Sequence, residues 1–438
     1  MQTSIIDEAD QAFLASRNDL SRSPAHPGYV MVHKKRLCPG SLREFENETR
    51  NMKRADRTQY DPFVPIPEYF ESSVCLRYLG LDDATADKLW KAWDEDEDQD
   101  REKYESVQDD AVKHISKTDH TKDTDSADDR HWHDLLSRIG VNDDFRRNLM
   151  DPHYKDLRLT NTCKYWVKYF FDHRKHTLSE IHRFSRERSK TAEVRLGRGP
   201  KTCIWSMAQE EKPGHVTLWS AQAFHRHGAL ALNVVAWKVK DWRCLGKSGL
   251  SGARDFTPLG VAYFTPQRDV ALHSLGWHKK NDANAGYLLI RVVVPLSSIE
   301  GLEEGRERIQ MLSTDPHWQD VVSYSRSRSL CVGEGHDSQA NAIRRALLIH
   351  GHMAKGLDRT EIGSRDSPSA PVVPQVSSEP YLNHDGTPAV QYAFRLFHQH
   401  FVSFAETALK QHEVAYVDSK DVAEIEQIWD VKDRTTGQ

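Results

Sequence analysis

The chain has 438 residues and a formal net charge of −5, with 38% hydrophobic and 29% charged residues. That length accommodates two or three domains and a substantial core, and 11 Trp, 14 Tyr and 15 Phe exclude a wholly disordered chain. The charge balance gives no general affinity for nucleic acid or membrane. No apolar run approaches the roughly 20 residues that span a bilayer, and residues 1–10 lack the basic and apolar regions of a secretory signal. The cysteines (Cys38, Cys75, Cys163, Cys203, Cys244, Cys331) are scattered without a C-x-x-C pair, the pattern of reduced thiols in an intracellular, cytoplasmic or nuclear protein.

Residues 1–60 contain Pro24, Pro27, Pro39 and the basic run Lys34-Lys35-Arg36 and read as an irregular arm. Residues 61–200 read as a helical domain. Gly80 ends one predicted helix and Asp82 or Asp83 caps the next, whose Leu89, Trp90 and Trp93 share a face with Ala86. Residues 94–129 are strongly charged and read as a mobile loop or solvated helix inserted in this domain. The helical pattern resumes with Trp132, Leu135, Leu136 and Ile139. A longer amphipathic segment, residues 160–184, carries Trp166, Tyr169, Phe170 and Ile181. Arg183, Arg186, Arg188 and Lys190 follow as a solvated helix end, and the basic connector 189–201 marks a domain boundary.

Residues 201–405 change texture. Short β-like runs occur at 216–219, 230–239, 261–264, 288–294 and 389–394, with a helical piece at 342–349 and a Pro/Ser-rich loop at about 364–380. Residues 406–438 read as a tail. Mixed short strands with few helices predict an α+β fold, not a doubly wound one.

The chemistry-bearing residues lie in separate blocks. The first is Asp255-Phe256, then Gly260-Val261-Ala262-Tyr263-Phe264-Thr265, then Ala271 and Trp277 on a helix-like run. Trp318-Gln319-Asp320-Val321-Val322 and the run from Ala346 through Gly351 to Ala354 come next, and Asp385-Gly386 leads into Gln391-Tyr392-Ala393-Phe394. In this order the blocks resemble the ADP-ribosyltransferase superfamily, especially a set of fungal proteins of that fold, over about residues 212–401. The resemblance implies a split-sheet domain in which NAD, as substrate, lies bent across a cleft between two small sheets. Tyr263 would stack on the nicotinamide and Gln391 would contact the ribose, as the two catalytic positions. Trp219 and Ser220, with Thr265 and Trp277, would complete the NAD-binding set. Aromatic faces suit the cationic nicotinamide ring, and a polar group beside the ribose favours the oxocarbenium-like state formed when the nicotinamide–ribose bond breaks. The implied reaction is ADP-ribosyl transfer to a protein or nucleic-acid acceptor, or NAD hydrolysis.

The residues also depart from that pattern. Ser220 stands where the tyrosine-type branch has a His. Gln391 is neutral where better-known members have Glu, so it donates and accepts hydrogen bonds but carries no charge. Taken alone, Tyr263 is more simply the core residue of an apolar strand, Gln391 the exposed side of an edge strand and Trp277 a helix anchor. The alternative function is therefore a catalytically degenerate interaction protein that recruits partners through its Trp-rich helical region. Other motifs are weaker. Gly246-Lys247-Ser248 lacks the glycine of a phosphate loop, since Asp241 holds its place. Glu424-Ile425-Glu426 has no accompanying Ser-Thr-Ser. The recurring H-x-H pairs lack a third ligand at suitable spacing, so no metal is expected.

Overall fold

The N-terminal residues are built into a sheet. Asp7 caps helix α1 (Glu8–Ser16) by accepting from the Ala9 N–H. Strands β1 (Leu20–Ser21), β2 (Tyr29–His33) and β3 (Phe63–Pro67) then form an antiparallel sheet in that order. The computed structural model describes residues 2–22, 24–37, 60–95, 106–118, 128–190, 212–223, 255–256, 261–327, 345–355, 379–383 and 385–417, with 45, 49, 207, 232–233, 238–239, 242, 342–343, 421, 424–425 and 427. The fold is α+β.

The expected irregular arm is corrected by this sheet, because β2 pairs with β3 across the boundary drawn at residue 60. Pro24, Pro27 and Pro39 suggested an irregular chain, yet even Pro65 and Pro67 stand in a strand, β3, on the outer edge of the sheet, where a missing N–H is tolerated. Ile5, Ile6, Leu14, Val30 and Val32 are buried in the largest core cluster. Asp10 is buried in a two-point ion pair with Arg188, Nη2 to Oδ2 2.7 Å and Nε to Oδ1 3.1 Å, and also accepts from Ser185 Oγ at 2.7 Å. Arg188 is thus an anchor and not part of a solvated helix end.

The helices follow their local signals. Ser72 caps α2 (Ser73–Leu79), and Gly80, at φ 123°, ends it; a Cβ there would meet Phe145 Cδ1 at 2.3 Å. Asp82 Oδ1 accepts from Thr85 N–H to start α3 (Asp83–Glu95), with Leu89, Trp90 and Trp93 half-buried against the core. Within the charged stretch, a Ser106/Asp109 capping box opens α4 (Val107–Lys117). Val107, Ala111 and Ile115 fall four apart and are buried, and Val112 is half-buried against the same core, so this part is a packed helix rather than a solvated insertion; residues 96–105 and 119–127 lie outside the described residues. Helices α5 (Asp129–Ile139), α6 (Asp143–Leu149) and α7 (Lys155–Arg158) lead to the 28-residue α8 (Cys163–Lys190).

The second half contains two facing sheets. Strands β4 (His215–Ala223), β8 (Tyr287–Pro295) and β12 (His412–Val417) form one, in the order β12-β8-β4. Strands β7 (Val261–Phe264), β9 (Arg308–Met311), β10 (Leu348–His352) and β11 (Val390–Arg395) form the other, in the order β7-β11-β10-β9. Short β5 (Leu232–Asn233) and β6 (Lys238–Val239) pair with each other. Gly351 sits where an added Cβ would lie 1.7 Å from Met311 O, so the close β9–β10 approach requires glycine. Helices α9 (Arg268–Asn281), α10 (Leu296–Glu300), α11 (Trp318–Ser327) and α12 (Phe401–Ala408) flank the strands. Residues 401–417 were expected partly as tail; instead α12 packs in the core and β12 pairs along the whole of its length with β8. The predicted helix at 342–349 gives way to strand by Leu348, while the connector 191–201 and loop 364–378 lie outside the described residues.

The drawn boundary near residue 200 does not divide the core. Val270, Trp277, Met353, Tyr381 and Ala389 belong to the same cluster as the N-terminal helices. Trp277 packs edge-on to Trp166 with ring centroids 4.5 Å apart. Nearby, buried Asp282 accepts from His173 Nδ1 at 2.9 Å and Thr177 Oγ1 at 2.6 Å. Burial alone raises its pKa, but those hydrogen bonds and Arg174 hold it below 3.8. Burial drives His278 down to about 3, so it stays neutral, Nδ1 donating to Ser274 O at 2.6 Å.

Replacing Asp10 by Ala leaves the Arg188 guanidinium buried without its partner and should cost about 3–5 kcal/mol in urea unfolding; a change below about 0.5 kcal/mol would mean that the N-terminal segment is not integral to the fold. The depressed folded pKa of His278 fixes a second outcome. Its contribution is complete above the ordinary value of 6.5 and is lost as pH falls toward about 3. The wild-type urea midpoint should therefore decline below pH 6.5, and His278→Gln should flatten that decline. Equal slopes in the two proteins would contradict the assignment.

Candidate functional site

A backbone seam joins the two sheets, which also share one apolar core cluster. Trp219 N–H donates to Thr265 O at 2.7 Å and Thr265 N–H to Trp219 O at 2.8 Å, a bridge between β4 and the end of β7. Pro266 follows and ends the strand, and Gln267 starts α9. Along β11, Ala393 pairs with Tyr263. Gln391 lies two residues from Ala393 and so projects on the same face as Tyr263.

A cavity of about 50 Å³ opens at the seam. Strand β4 contributes Trp219, Ser220 and Ala221. The β7 segment gives Tyr263, Phe264 and Thr265, α9 gives Val270, Ala271 and Ser274, and β11 gives Gln391. Leu157 from α7 and Met353 just after β10 close it. Five of the six sequence-predicted site residues, Trp219, Ser220, Tyr263, Thr265 and Gln391, are thereby brought together. Trp277 is not. It is 1% exposed and lies in the aromatic cluster with Trp166, Tyr154 and Phe170, anchoring α9 to α8.

The polar atoms divide into those already engaged and one that is not. Ser220 Oγ donates to Tyr263 O at 2.8 Å and accepts from Gln222 Nε2 at 2.6 Å, so it braces the seam. Thr265 Oγ1 donates to Gln267 Oε1 at 3.0 Å and accepts from the Gln267 N–H at 3.1 Å, the local turn that starts α9. Gln391 is 2% exposed, not on the outer side of an edge strand. Its Nε2 donates to Asp255 Oδ2 at 2.7 Å, and the same oxygen accepts from Ala354 N–H at 2.8 Å. Gln391 Oε1 is buried and has no hydrogen-bond partner among the described residues. The Trp219 ring, 3% exposed, has the Arg268 guanidinium 5.4 Å and that of Arg291 6.0 Å from its centroid, both within cation–π range.

Size limits what enters. An apolar cavity of roughly 150 Å³ admits benzene, so a nicotinamide ring requires displacement of a wall residue here. Met353, with its unbranched thioether, is the most adaptable of those residues. Sequence reasoning missed Leu157 and Met353, since neither has a chemical signature. It quoted Asp255 without giving it a role, because a contact across 136 residues leaves no local trace.

Among the described residues no group of His, Cys, Asp and Glu is arranged to hold a metal ion, and no helix is long and apolar enough to cross a membrane. No protein-family model, curated protein or solved structure matches the chain.

Leu157→Ala removes one wall of the cavity. It should cost about 2–5 kcal/mol in stability and make the thermal midpoint respond more to added nicotinamide than that of the wild type. An unchanged response would show that Leu157 does not limit access.

Proposed function

We propose that the chain binds NAD at the seam between its two sheets and cleaves the nicotinamide–ribose bond, passing ADP-ribose to a protein or nucleic-acid acceptor or to water. One observation carries this reading: Trp219, Tyr263 and Gln391, from three strands distant in sequence, line one cavity. The residues that the resemblance to ADP-ribosyltransferases singles out are those that converge, apart from Trp277.

In this reading the ring enters between aromatic walls and Gln391 faces the ribose. The electron pair of the C1′–N bond leaves with nicotinamide, which becomes neutral. Positive charge develops on the ribose, and an acceptor oxygen or nitrogen then bonds to C1′ and releases its proton to solvent. Preorganised polar groups act most strongly where water is excluded, and Gln391 is in such a place.

The second reading, a degenerate interaction protein, is favoured by the neutral Gln391 and the small cavity. Incubation of the full chain with nicotinamide-labelled NAD, following nicotinamide release, separates the two. The enzymatic reading expects release by wild type and losses on the order of 10²-fold in both Tyr263→Ala and Gln391→Ala. No release by wild type, or equal release by all three proteins, overturns it.

A further inference from the structure

We propose that Asp255 is the positioning residue of this site: it fixes the Gln391 amide so that Oε1 is the acceptor offered to a ligand hydroxyl, and it supplies the negative charge that residue 391 lacks. The proposal rests on the reading of the cavity as an NAD site and assigns the chemistry of one contact within it, to a ribosyl hydroxyl.

The hydrogen bonds determine the orientation. Asp255 Oδ2 has two N–H groups upon it, the Gln391 amide at 2.7 Å and Ala354 at 2.8 Å. A carboxylate only accepts. Rotating the amide by half a turn would set Oε1 against Oδ2, two acceptors at hydrogen-bond distance. The NH₂ is therefore committed to Asp255, and Oε1 is the free end. That atom is buried without a partner among the described residues, on a side chain that lines the cavity. Buried acceptors are rarely left unpaired, and a hydroxyl donor entering the cavity satisfies this one.

Charge follows from the same contact. Asp255 is 0% exposed, so salt screens it little. It is not one of the cavity-lining residues, and so acts through the amide it holds. Hydrogen-bonded groups polarise one another in a low-dielectric interior: the anion on the N–H side draws the amide dipole into line and makes Oε1 a stronger acceptor. The pair thus presents one negative charge, placed one residue further back than a glutamate at position 391 would place it.

Reversing the pair tests this. Asp255→Asn, Gln391→Glu and the double variant are compared with wild type in the full chain, by thermal unfolding and by nicotinamide release from NAD. Gln391→Glu alone opposes two carboxylates and should lower the thermal midpoint by several degrees. The double variant restores an amide–carboxylate contact of opposite sense and should recover that midpoint. In release assays, Asp255→Asn should lower kcat by about 10- to 100-fold with KM little changed, and the double variant should recover kcat. A double variant whose midpoint loss equals the sum of the single losses, or an Asp255→Asn protein with wild-type kcat, overturns the proposal. If wild type releases no nicotinamide, the NAD reading fails, and the thermal cycle by itself decides whether Asp255 orients Gln391.

Discussion

Two backbone hydrogen bonds between Trp219 and Thr265 hold the sheets of the second half of this protein in register. They are the join between a sheet made of β4, β8 and β12 and one made of β7, β9, β10 and β11. The join brings the β4 residues against those of β7 and β11. Ser220 can reach the Tyr263 carbonyl because the strands meet one residue away. Gln391 shares the Tyr263 face because β11 is the next strand over. Pro266 ends β7 just beyond the join, and the Thr265–Gln267 turn sends the chain into α9, so the helix that supplies Val270, Ala271 and Ser274 begins at the cavity wall.

The helical half completes the site as well as preceding it. Trp277 anchors α9 to α8 through Trp166, and the buried Asp10–Arg188 pair fixes the far end of α8 to the N-terminal segment. Leu157 closes the cavity from the same direction. Aromatic packing and a hydrogen-bonded buried ion pair thus hold the helices beside the cavity. A buried ion pair of this kind is weak evidence for net stability, but removing one partner is strongly destabilising, and here it ties α1 to the end of α8.

Much of this was legible in the sequence, and the failures have physical causes. Helix ends at Gly80 and Asp82 were readable because capping is local. The strands at 216–219, 261–264 and 288–294 were readable because apolar β-branched and aromatic runs are local too. The N-terminal sheet was hidden because β1 and β2 are short, Pro24, Pro27 and Pro39 stand around them in sequence, and the partner strand β3 lies beyond residue 60. Helix α4 was hidden because a few apolar residues in a charged stretch suffice when Val107, Ala111 and Ile115 recur four apart on one face. The site residues were legible only through resemblance: Trp219, Tyr263 and Gln391 are each ordinary strand residues, and nothing in their own neighbourhoods predicts convergence. Asp255 illustrates the limit, since its role exists only when β11 is beside it.

The chemistry available is consequently narrow. Ser220 and Thr265 have their hydroxyl protons committed to the fold, the Trp219 ring lies beside two guanidinium groups, and Gln391 Oε1 is a buried cavity acceptor without a partner among the described residues. A crystal structure of the protein grown with NAD tests the central claim most directly. The account predicts the nicotinamide ring at the seam beside Tyr263, Met353 or Leu157 displaced, and a ribose hydroxyl within hydrogen-bond distance of Gln391 Oε1. A dinucleotide bound elsewhere, or a cavity unchanged at saturating NAD, would contradict it.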